Sequence, residues 1–307
     1  MPFTHCGLYF TQEHIEQARQ ARDREPYQTA WKRLYSREPK GEVALAQWNG
    51  LLYRFSFEEE AGKRVIDLLM RDQTLQFDAE TRYLDRLAIT LTWAQCFEMV
   101  RDHAAFSPQS QARWLARFSN TVEQLNQTNT TDFRKLWLQA LNLAAGIVLE
   151  RDDLFQMGVE EYQRAVREDI HPEGYLRGAV EAGDGLGFYR QLRSVQALAL
   201  MAEAGQHVGV DLWSYAVRGV SVMTAITYAM YYHFKPEKWR WDEGLEEVIP
   251  PFFRKHAGFL EMANRRENRP RDMQTALDDL RPIYDVYGGG LTTLTHGVVV
   301  GRRGLFR

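Results

Sequence analysis

The sequence is poor in the features that mark many other classes of protein. Only two of its 307 residues are cysteines, Cys6 and Cys96, far apart and in no metal-ligand spacing. A disulfide framework and a cysteine-built metal site are therefore not expected, and both thiols should be free. No apolar run is long enough to span a bilayer. The start, MPFTHCGLYFTQEH, lacks the basic region and apolar run of a secretory signal. A cytoplasmic protein with no membrane contact is expected, or a periplasmic or secreted one if a signal has been removed. A basic excess is missing too: 38 Lys and Arg against 41 Asp and Glu give a net charge of −3. A general coat for nucleic acid is thereby excluded, since phosphate binding needs a clear positive balance. The eight histidines are scattered, and none pairs with another at a ligand spacing, so no metal and no cofactor are expected. Linkers of low complexity and strict short repeats are also absent, so residues 1–307 read as a single domain.

What is present is helix. Apolar residues recur at helical spacing from Thr11 to about Tyr35, with Pro26 expected to split the segment. Further segments run over Glu42–Tyr53, Ala61–Met70, Asp78–Val100, Asp132–Leu149, Asp152–Ile170, Phe188–Glu203 and Asp211–Tyr232. Shorter ones lie near Pro251–Met262 and Met273–Leu280. Ser56 to Glu59 has the capping-box pattern. Ser107 followed by Pro108 reads as an N-cap opening a helix through Leu125. Period-two alternation is rare, and only Leu291–Val300 looks extended. Very apolar helices alternate with amphipathic ones, which predicts an inner and an outer layer. The expected fold is all-α: an α/α toroid, or incomplete α/α barrel, of roughly ten to twelve helices in two layers.

The stretch from His171 to Glu203 carries the densest chemistry. A glycine cluster, Gly183, Gly185 and Gly187, leads into an apolar helix that opens with Tyr189, Arg190 and Arg193. Glycine lets a backbone bend and lets a large ligand approach it. Tyr189 and Arg193 are four apart and share a helix face. A phenol beside a guanidinium suits proton transfer on an anionic substrate. The glycines are not a dinucleotide fingerprint, because no strand precedes them. Arg134 opens another apolar helix, where a bidentate donor can hold a carboxylate. Tyr228, Trp239 and Trp241 belong to an aromatic cluster that reads either as a sugar-stacking platform or as helix-end packing. Asp184, with Asp242 or Glu243, offers the two carboxylates a glycoside hydrolase needs, or else these are solvated loop acids.

Three stretches give the chain a resemblance to the poly(mannuronate) or alginate lyases of the α/α-toroid class. One runs from Arg134 through Trp137 to Arg151–Phe155. A second runs from Pro172–Leu176 through Tyr189 to Met201–Glu203. The third runs from Arg281 to Gly288–Leu294. The resemblance, from about Thr81 to Gly297, implies β-elimination on an acidic oligosaccharide or polysaccharide. A donor neutralises the C6 carboxylate, a base removes the C5 proton, and an acid protonates the leaving O4. Tyr189 falls where the family's catalytic tyrosine stands. The family's Asn-Asn-His before the tryptophan is here Asp132, Phe133 and Arg134. Its arginine before the tyrosine is missing, with Arg177, Arg190 and Arg193 as substitutes. Its arginine before the closing glycines is replaced by Asp285 and Val286. The resemblance thus implies Tyr189 and Arg134 as catalytic residues, with Arg177, Arg190, Arg193, Tyr228, Trp239, Trp241 and His296 binding substrate. A hydrolase on the same architecture and a non-catalytic glycan-binding toroid remain open beside it.

Overall fold

A computed structural model describes residues 5–266 and 270–299. Fifteen α-helices make up the described chain. In order they are α1 (Gln12–Gln20), α2 (Tyr27–Leu34), α3 (Glu42–Ser56), α4 (Glu59–Met70) and α5 (Tyr83–Val100). Then come α6 (Pro108–Asn126), α7 (Arg134–Val148), α8 (Asp152–Arg164), α9 (Arg177–Val180) and α10 (Gly187–His207). The last five are α11 (Val222–Phe234), α12 (Ile249–Lys255), α13 (Gly258–Asn264), α14 (Met273–Leu280) and α15 (Thr292–His296). Among the described residues there is no strand, only isolated bridges.

The layers follow from which faces are apolar. Helices α5, α7 and α10 are buried nearly all round, as expected of helices with no polar face. Helices α4, α6 and α8 bury one stripe each and cover them from outside. The inner helices pack in sequence, α3 on α5, α5 on α7 and α7 on α10. The ring then continues from α10 to α13 and α15, and α15 returns to α1 and α2, which pack on α3. This is the α/α toroid. The helix count exceeds the expected ten to twelve because of several short helices, α9, α12, α13 and α15, the last two of which complete the ring.

Local signals explain most boundaries. The cut at Pro26 separates α1 from α2 as expected, and Ser107 caps α6 by accepting from the Ser110 N–H. Three expectations are corrected. Ser56 ends α3 rather than capping α4, because Phe57 turns left-handed (φ 60°) and Glu58 takes the cap position. The Asp211–Tyr232 helix begins only at Val222. The Asp211 carboxylate takes the Ser214 N–H and hydroxyl, Arg218 and Gly219 both have positive φ, and Ser221 caps the helix that follows. The Leu291–Val300 tail is helical over Thr292–His296. There the Thr293 hydroxyl donates to Glu261 and accepts from the Ile283 N–H. Val300 and the residues after it lie outside the described chain. Both cysteines are free.

The closing glycine segment lies between the inner helices. Gln47 of α3 donates to the Val286 carbonyl at 2.9 Å, and Gln95 of α5 donates to the Gly289 carbonyl at 3.0 Å. Gln196 of α10 donates to Asp285 at 2.7 Å. Three amides from three inner helices thus hold one loop, which leaves its buried backbone groups paired. A Cβ on Gly290 would lie 3.0–3.2 Å from the Gln47 amide, so only glycine lets these amides come this close.

Candidate active site

The N-terminal ends of three inner helices meet at one pocket of about 490 Å³. Arg82 and Leu84 come from the start of α5, and Asp132, Phe133 and Arg134 from the start of α7. Tyr189 and Arg190 come from the start of α10, and the loop between α9 and α10 adds Ala182 and Leu186. These helices therefore run parallel and point their positive dipole ends the same way, which favours an anion. The glycine loop is tied in place by Asp242. Its carboxylate accepts from the N–H groups of Gly185 (2.9 Å) and Gly187 (3.1 Å) and from the Trp239 indole (3.0 Å).

Tyr189 is half-buried, and its ring meets Phe133 edge-on (centroids 6.2 Å apart) and Phe252 at a tilt (5.3 Å). Three arginines line the pocket around it, and each holds an acid of its own. Arg82 meets Asp85 at 2.9 Å, Arg134 grips Asp132 with a shortest contact of 2.6 Å, and Arg190 pairs with Asp184. Burial works against ionisation of Asp132, but the Arg134 hydrogen bonds overcome it and hold the carboxyl below its usual range. The Arg190 guanidinium does the same for Asp184. Exposed pairs of this kind contribute little to stability.

Arg193, one turn below Tyr189, is only 2 % exposed. Its guanidinium lies 4.1 Å from the Trp137 ring centroid, bonds Gln196 and His256, and leaves Nε without a partner. It braces the floor of the cleft, where Tyr287 of the closing loop faces it at 5.7 Å. Burial, then the neighbouring Arg193, pushes His256 down to about 3, so its imidazole is neutral. Burial also raises the carboxyl of Asp285 to about 6, although Arg193 pulls it back.

A raised carboxyl favours the folded state most when it is protonated. Its contribution is complete below the unfolded value near 4 and is lost as pH rises through about 6. Replacing Asp285 with Asn is expected to remove that slope. The stability of the variant relative to wild type should rise by about 3 kcal/mol between pH 4 and pH 7. Denaturant unfolding of both proteins across that range measures it, and parallel curves would remove Asp285 as the titrating group.

Several sequence-derived site residues lie elsewhere. Tyr228 and Trp239 are buried, and the Trp241 indole donates to the Tyr228 hydroxyl at 2.8 Å. With Tyr175 and Tyr232 they pack edge to face, so the platform is helix-end packing and not an open stacking surface. His296 is fully buried beside Glu203. Glu203 is fourteen residues, roughly 21 Å, down α10 from Tyr189. Arg177 is exposed on α9. Residues that sequence reasoning passed over are Arg82, Asp85, Phe252, His256 and Tyr287. The three consecutive glycines at 288–290 were the one available signal that another element comes close to this loop.

No curated protein sequence matches the chain significantly. Solved structures do. Alginate lyase A1-III from Sphingomonas species A1 superposes with a TM-score of 0.72 at 16% identity, covering 83% of this chain and 75% of that one. The same enzyme complexed with a tetrasaccharide gives 0.70 at 16% identity, covering 85% and 78%. An alginate lyase from Bacteroides ovatus gives 0.69 at 13% identity, covering 95% and 99%. These likenesses establish the fold. The Alginate lyase family model matches residues 48–239, a span that holds the inner helices α5, α7 and α10, the later part of α3 and the Tyr189 pocket, and the chain belongs to that family.

Proposed function

We propose that this protein is a polysaccharide lyase that cleaves a uronate-containing glycan by β-elimination at the Tyr189 pocket. One observation carries the reading: Tyr189 stands among three arginines whose carboxylate partners are partly exposed. A uronate C6 carboxylate displacing Asp132 or Asp184 has its charge neutralised by Arg134 or Arg190. Neutralisation makes the C5 proton acidic. Tyr189 carries that proton from C5 to O4 as the C4–O4 bond breaks. The tyrosine ends as it began, and the product gains a C4=C5 double bond.

The hydrolase alternative has one of its acids committed to structure. Asp242 accepts three hydrogen bonds from the glycine loop and Trp239, whereas Asp184 is held by a surface pair with Arg190 and Glu243 is exposed. The deciding experiment follows near-ultraviolet absorbance and reducing ends together on alginate, glucuronan and heparin-type oligomers. Elimination raises both in step on at least one polymer, because the new double bond is conjugated with the carboxylate. Reducing ends rising alone would replace the lyase by a hydrolase. Saturable binding with neither signal would leave a glycan-binding toroid.

A further inference from the structure

Beside the Tyr189 pocket lies a second cavity of about 440 Å³, and the two share Asp132, Phe133 and Gly178 as a common rim. Lys135 enters this cavity from the first turn of α7, Glu161 and Arg164 from the end of α8, Asp169 from the turn after it, and Ser194 from α10. We propose that the cavity is the subsite for the sugar next to the cleaved uronate, and that it takes a neutral, hydroxyl-bearing sugar in preference to a second uronate. The inference rests on the lyase reading of the Tyr189 pocket and names the glycan class: one in which uronate adjoins a neutral sugar.

Charge is the first argument. Three arginines and one acid, Asp132, line the Tyr189 pocket. In the neighbouring cavity two cations, Lys135 and Arg164, face three acids, Asp132, Glu161 and Asp169. One lining draws a carboxylate in, and the other turns it away. The start of α7 does not reverse this. The Asp132 carboxylate takes the Arg134 N–H at 2.9 Å and the Asp132 carbonyl takes the Lys135 N–H at 2.9 Å, so neither is left to an anion.

Hydrogen bonding is the second argument. Helix α8 runs on into a π-helical turn, Ala165–Asp169, which brings Asp169 round to face Arg164. Arg164 is thereby clamped between two carboxylates, Glu161 at 2.6 and 3.0 Å and Asp169 at 2.7 and 2.9 Å. Lys135 reaches the Glu161 carboxylate at 2.8 Å. Burial works against ionisation of Glu161, but the hydrogen bonds from Arg164 and Lys135 overcome it. Both cations are thus engaged, while the acids keep lone pairs for further donors. Sugar hydroxyls are such donors, and a carboxylate is not. Ser194 can give as well as take. Its hydroxyl is buried and has no hydrogen-bond partner among the described residues, a costly state that a ligand hydroxyl would relieve.

The test measures binding apart from chemistry. The Tyr189→Phe protein is titrated calorimetrically with two 4-linked tetrasaccharides, one of uronate alone and one of uronate alternating with neutral hexose. The mixed oligomer should bind about tenfold more tightly. Glu161→Gln in the same background removes a negative charge and should narrow that gap to about threefold, by strengthening the all-uronate ligand. Ser194→Ala should weaken the mixed oligomer about threefold with Tm unchanged, since an unpartnered hydroxyl holds nothing in the free protein. Equal affinities, a preference for the all-uronate chain, or binding of neither overturns the subsite. So does a gap that folded Glu161→Gln leaves as it was, or a Ser194→Ala protein that binds like its parent. Should Glu161→Gln fail to fold, the two oligomers and Ser194→Ala decide. The near-ultraviolet signal of wild type on both tetrasaccharides judges the lyase reading separately. No signal on either counts against elimination, whereas a signal with the all-uronate chain bound more tightly removes only the subsite.

Discussion

Tyr189→Phe is expected to lower turnover by about a hundred- to ten-thousand-fold, the usual cost of losing one acid–base group. Oligouronate binding should stay nearly unchanged. The substitution deletes the hydroxyl and keeps the ring, and the ring is what packs against Phe133 and Phe252. The three arginines that would hold the carboxylates are untouched. The loss should therefore fall on kcat, the sign of an interaction made only in the transition state. Initial rates from the near-ultraviolet signal give kcat, calorimetric titration with an oligomer gives binding, and an unchanged Tm shows that the fold has survived. Full activity in this variant would end the assignment of Tyr189. An equal loss of binding and turnover would make it a substrate-binding residue.

Gly288→Ala is expected to cost about 3 kcal/mol or more, at the upper end for overpacking. A Cβ there would lie 2.1 Å from Asp285 Oδ2 and 2.6 Å from Gln196 Nε2. Neither atom is free to move, since Gln196 donates to Asp285, which also accepts from the Gly258 N–H. Gly258→Ala drives into the same contact from the other side, because its Cβ would meet the Gly288 carbonyl at 2.5 Å. Both variants should unfold at lower denaturant than wild type. Gly178→Ala is the control: it sits in α9 with open space around its Cβ and should leave stability level or slightly raised. Two wild-type-like midpoints for the Gly288 and Gly258 variants would show that the loop is looser than its hydrogen bonds imply.

The fold was largely legible because it rests on periodicity. The 3.6-residue spacing in the segments that became α7 and α10, with their lack of a polar face, already set them in the inner layer, whereas α5, read with one apolar face, proved buried nearly all round. That Tyr189 opens a helix beside a glycine loop was legible for a different reason: a glycine run before a helix is a local signal. The aromatic cluster was not legible, because burial depends on what packs over a ring, and Trp239 looks the same in sequence whether covered or open. Arg134 was found, but its partner Asp132, two residues away, was read only as a lost asparagine.

The loop from Asp285 to Gly290 also bears on how the chain reaches this shape. The hydrogen bond from Gln47 to Val286 spans 239 residues, and the amides of α3 and α5 wait for a segment that arrives late in synthesis. Until it does, the polar groups of Gln47 and Gln95 face an unfilled interior. Contacts so distant in sequence slow folding, because loop closure must be paid before they form. An emerging chain would therefore hold an open arc of helix pairs with its inner wall exposed, a species prone to aggregate. Expression at lower temperature, or beside a chaperone that shields apolar surface, should raise the soluble yield more for this protein than for a helical bundle of equal size with only local contacts.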